Sequence, residues 1–162
     1  MYFWKIDSLK KDLIENGLSQ KSLFIYILLY VLVAQVFAEF SYFFPAEAAP
    51  GTMDYLQIAI DLIAIGIGTY LCYYANGANN GEQFAERFFS IGFVIGIRFM
   101  ALLIPIMMVY GIIVGVIAST TEVDTEGTFM NASVLILIFS WIVAMYWRFI
   151  VHINDVAKSA NA

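Results

Sequence analysis

Two short patterns place an amide and a carboxylate one helical turn apart: Gln35 with Glu39, and Gln57 with Asp61. At four-residue spacing, both groups of each pair share one face of a helix. If the two segments are antiparallel helices joined by a short outer loop, Gln35 sits at about the depth of Asp61, and Glu39 sits nearer Gln57. Amides then alternate with carboxylates across the pair. At 1.5 Å per residue Asp61 lies roughly 9 Å inside the outer membrane boundary. A carboxylate near mid-depth that faced lipid would cost about 2.5–3.5 kcal/mol, so Asp61 is expected to face protein or a water-filled cavity. Two chemistries fit. Asp61 and Glu39 can form a cation or proton site with Gln35 and Gln57 as neutral ligands, or the four can hydrogen-bond between helices and fix their packing.

Arg98 is the possible ion-pair partner of Asp61. If its helix enters the membrane near Phe88, the guanidinium lies about 12–15 Å deep and needs a carboxylate. If the span is Phe99 to Ala118, Arg98 reaches back to the headgroups instead. Arg148, beside Trp147 and near His152, reads as an interfacial anchor. One cysteine, Cys72, and one histidine, His152, cannot build a tetrahedral zinc site or an internal disulfide. No serine or cysteine is fixed near His152 as a nucleophile. The chain therefore reads as non-enzymatic, with no catalytic residue, metal or cofactor expected.

The bilayer is the solvent these residues imply. The 162 residues are 62% hydrophobic and only 13% charged, with mean hydropathy +0.81, against roughly 45–50% apolar and 25% charged in a soluble domain. A formal charge of -5 excludes the basic footprint that nucleic-acid binding requires. A membrane-crossing helix needs about 20 apolar residues, and four such runs occur, at about 22–44, 55–75, 88–119 and 128–151. Lys5, Lys10, Lys11, Lys21, Arg87, Arg148 and Lys158 all fall toward one side of this arrangement. The intervening outer segments carry Glu47, Asp54, Glu122, Asp124 and Glu126. By the positive-inside rule both termini are cytoplasmic, and a bacterial inner (plasma) membrane is the expected location. The first run is read as a retained span rather than a signal peptide.

Flanking elements complete the expectation. Tyr2, Phe3, Ile6, Leu9 and Leu13 recur at helical spacing, so residues 1–20 read as an amphipathic interfacial helix, anchored by Trp4 and closed by Asn16 and Gly17. The transmembrane domain then covers 21–154 and a short tail 155–162. Gln57, Asp61, Ala64, Gly68, Cys72 and Ala75 form a small and polar stripe that marks a helix-contacting side. The pairs Gly92 with Gly96 and Gly111 with Gly115 mark another on the third span, where Pro105 is expected to bend the helix. The fold expected is an all-α integral membrane protein, a four-helix antiparallel transmembrane bundle. Its expected role is a self-associating or accessory subunit of a membrane complex, with lipid, a second copy or a larger membrane protein as partner. The alternative is a homo-oligomeric channel or carrier for protons or monovalent cations that uses Asp61 and Glu39.

Overall fold

The computed structural model describes residues 2–40, 51–120 and 128–160, with side chains described except at 37–40, 53, 118 and 128–131. The described residues form helices and turns without a strand. In chain order these are α1 (Ile6–Glu15), α2 (Gln20–Phe40), α3 (Thr52–Ala75), a 3-10 turn at Ala78–Asn80, α4 (Phe84–Thr120) and α5 (Thr128–Ala160). The stretches Asp54–Ala75, Phe84–Ile117 and Ala132–Ala160 are each long and apolar enough to cross a membrane, and α2 is apolar along Gln20–Val36. Large side chains such as Leu62, Ile104 and Ile112 are exposed on these helices, an apolar surface that suits lipid rather than water.

Local chemistry sets the boundaries. α1 ends where the Asn16 N–H donates to the Asp12 carbonyl at 3.0 Å and Gly17 takes φ +67°, a conformation glycine adopts without strain. α3 begins where the Asp54 carboxylate accepts from the Gly51 N–H at 2.7 Å, satisfying one of the N-terminal donors. At its other end Gly77 turns the chain with φ +102°.

The helices pack in an order that differs from their order in sequence. The extensive contacts are α3 on α5, α4 on α5 and α2 on α4, with α1 across α4 and α5. The helices thus form a row in the order α2, α4, α5, α3. Tyr26 meets Phe93 and Leu18 meets Glu86, so α2 and α4 run parallel. Phe88 meets Phe149, Phe99 meets Trp141 and Tyr110 bonds Ser133, so α5 runs back along α4. Gly68 lies on Tyr146, and Asn76 shares a cavity wall with Asn154 and Ala157, so α3 runs parallel to α5. The antiparallel pairing expected between the first two apolar helices is absent from these extensive contacts. A short connection sets opposite directions for consecutive helices without obliging them to touch.

Two expected boundaries also move. The apolar face of α1 does not lie against lipid: Ile6, Leu9 and Leu13 are buried in one core with residues of α4 and α5. The segment expected to be a tail is helical to Ala160, with Val156 and Ala157 buried and Asp155 held by Lys10 at 2.8 Å. One fact explains both. An amphipathic helix and the end of α5 cover each other.

Candidate functional site

The stripe on α3 is that helix's covered side. Gly68 and Cys72 are buried, and Gln57, Asp61, Ala64 and Ala75 are half-buried, while Ile58, Leu62, Ile65 and Leu71 are exposed. A Cβ on Gly68 would overlap the Tyr146 ring, and the Tyr146 hydroxyl lies 3.3 Å from Thr69 Oγ1. The missing side chain of Gly68 is what lets α5 approach.

Of the four polar residues of the two patterns, the side chains of Gln35, Gln57 and Asp61 are described. Gln57 and Asp61 lie on α3, at one end of the row. Gln35 lies exposed on α2, at the other end, and the Glu39 side chain lies outside the described residues. Asp61 makes no hydrogen bond or ion pair among the described residues. Arg98 is not its partner. Its Nε donates to the Trp4 carbonyl at 3.1 Å, Nη2 donates to the same oxygen, and the guanidinium carbon sits 5.6 Å from the centre of the Trp4 ring. Arg98 therefore ties the start of the chain to α4.

The glycines of α4 divide. A Cβ on Gly92 would lie 3.1 Å from Phe149 Cε2, whereas Gly96, Gly111 and Gly115 have nothing within 4 Å among the described residues.

A second polar centre was not expected from sequence. Asn76, Glu86, Arg87 and Ser90 are all buried where the α3–α4 turn meets the α1–α2 link. Arg87 Nη1 donates to Asn76 Oδ1 at 2.8 Å, and Asn76 Nδ2 donates to the Glu82 carbonyl at 3.0 Å. Ser90 Oγ donates to the Glu86 carbonyl at 2.6 Å. The Leu18 N–H donates to Glu86 Oε1. Arg87 Nε has no hydrogen-bond partner among the described residues. Gly81 is required here because a Cβ would overlap the Asn76 carbonyl. The available signal was an Asn directly after an apolar run and a Glu-Arg pair opening the next.

Near the start of the chain, the Tyr2 amide donates to the Tyr26 hydroxyl at 2.7 Å and the Tyr2 hydroxyl donates to Asp12 Oδ2 at 2.7 Å. That bond to Asp12 holds the Tyr2 phenol above the ordinary tyrosine range, with desolvation acting in the same direction.

Compared with protein-family models, curated proteins and solved structures, the chain matches none. The fold itself defines the class: an all-helical protein in which three described helices are long and apolar enough to span a membrane.

Proposed function

We propose that the protein is a non-enzymatic integral membrane subunit. It has four spans with both termini cytoplasmic, resides in a bacterial plasma membrane, and associates through α4 with a second copy or a larger membrane protein. The observation that carries this reading is the contrast among its glycines. Gly68 and Gly92 are filled by aromatic rings, while Gly96, Gly111 and Gly115 meet nothing within 4 Å among the described residues. Between helices in lipid, close packing replaces the hydrophobic effect, and small residues are where backbones approach. A row one helix thick also leaves α4 with a broad uncovered side. Subunit counting by photobleaching in nanodiscs tests the idea. The parent is expected to give a defined oligomer that Gly111→Leu with Gly115→Leu dissociates; an oligomer indifferent to both changes would sink the α4 interface.

One observation favours a second reading, an oligomeric pore for protons or monovalent cations. The half-buried Asp61 has no internal partner among the described residues, and an ionisable group at membrane depth calls for one. In that reading Asp61 lines a lumen between copies, with Glu39 nearer its mouth. Flux in proteoliposomes distinguishes the two. Cation or proton flux that Asp61→Asn abolishes establishes the pore, and absence of flux in the parent removes it.

A further inference from the structure

The open groove between α4 and α5 beside the N-terminal segment has a volume of about 660 Å³, inside the range of roughly 300–1,000 Å³ for small-ligand sites. Arg98, Arg148 and His152 supply its polar groups, and Trp4, Leu102 and Trp147 are among its apolar walls. No carboxylate lines it among the described residues, in a chain whose formal charge is -5. The acid close to His152, Asp155, is held by Lys10 at 2.8 Å. Arg98 uses Nε and Nη2 on the Trp4 carbonyl, and its Nη1 makes no hydrogen bond among the described residues. Arg148 is exposed and makes neither hydrogen bond nor ion pair among them. His152 Nδ1 is shut off from solvent with no hydrogen-bond partner among the described residues.

We propose that this groove binds an anionic phospholipid, its phosphate held by Arg148 and Arg98 and its acyl chain laid along the apolar wall. Guanidinium groups match phosphate oxygens in charge and fork geometry. Basic pockets between membrane helices are where anionic headgroups settle. The apolar wall selects a lipid over a soluble phosphate, because Leu102 and Trp147 are large apolar side chains exposed at the groove's edge. Tryptophan at headgroup depth is the usual flank of such a position. Trp4 adds a further link, since the residue whose carbonyl Arg98 grips is itself a wall of the groove. A bound lipid would therefore touch α1's attachment, α4 and α5 at once.

Tryptophan fluorescence of the full chain in zwitterionic nanodiscs, titrated with brominated phosphatidylglycerol or brominated phosphatidylcholine, tests the proposal. Phosphatidylglycerol is expected to quench at a mole fraction about tenfold lower, the size of one charge-assisted hydrogen bond. Arg148→Gln should erase that preference with helicity unchanged, and Arg148→Lys should keep part of it. Millimolar inorganic phosphate should leave the quenching intact. Equal quenching by both lipids in the parent would overturn the proposal, as would a preference that survives in both Arg148→Gln and Arg98→Gln. Displacement by inorganic phosphate would assign the groove to a free anion and overturn it as well.

Discussion

At the scale of single residues, two positions fix how closely helices meet. Gly68→Val would drive two methyl groups into Tyr146, and overpacking of this kind costs about 1–3 kcal/mol. The expected result is a lower unfolding midpoint in detergent, while Gly66→Val, at a glycine with nothing within 4 Å among the described residues, should change it little. Asn76 is the more informative position. Arg87 is 4% exposed and Asn76 is 1% exposed, so Asn76→Ala strands a buried guanidinium and should cost about 3 kcal/mol. Adding Arg87→Met removes the orphaned charge and is expected to recover part of the loss, which a double-mutant cycle measures. This centre was hidden in the sequence because Asn76, Glu86 and Arg87 sit beside a turn of Asn and Gly. Charge there is ordinarily solvated, and the segment that helps enclose it, ending in the Leu18 amide, lies 68 residues from Glu86.

The elements show what periodicity can and cannot say. Ala64, Gly68 and Cys72 marked the contacting side of α3 because small residues at helical spacing leave a flat face. Ile6, Leu9 and Leu13 likewise marked the apolar side of α1. Neither pattern named its partner, since an apolar stripe is equally complementary to lipid and to another apolar helix. For α1 the partner is protein, and its attachment can be followed with pH. The Tyr2 phenol is raised above its ordinary value by its bond to Asp12, so its contribution is fully present below the unfolded-state value near 10. It is lost as pH climbs through the raised one. Trp4 emission should accordingly stay constant through neutral pH and shift only in strong alkali. Tyr2→Phe should remove that alkaline step.

For the whole molecule, direction along the chain was easier to read than neighbourhood. Alternating basic and acidic connections imply that the helices reverse direction, and the four-span reading makes a concrete forecast. In a Cys72→Ser background, Lys5→Cys and Asn79→Cys should react with an impermeant thiol reagent from the cytoplasmic side, and Glu47→Cys and Glu122→Cys only from the opposite side. The neighbours could not be read from sequence, because short connections favour a packed hairpin of α2 with α3 just as well as the observed row. Which pairing wins is decided by the fit of Tyr146 on Gly68 and of Phe149 on Gly92, details of shape that hydropathy does not encode.

The order α2, α4, α5, α3 has a consequence for how the chain is made. Translation delivers the helices in sequence, yet α2 must wait for α4, and α3 must wait for α5, before either meets its neighbour. With synthesis at roughly 5–20 residues per second, α3 is complete about 4–17 s before the end of α5 leaves the ribosome. During that interval its covered stripe, with Asp61 and Gly68, lacks the helix that covers it. A nascent chain stalled before α5 should be the form most readily handed to membrane quality control.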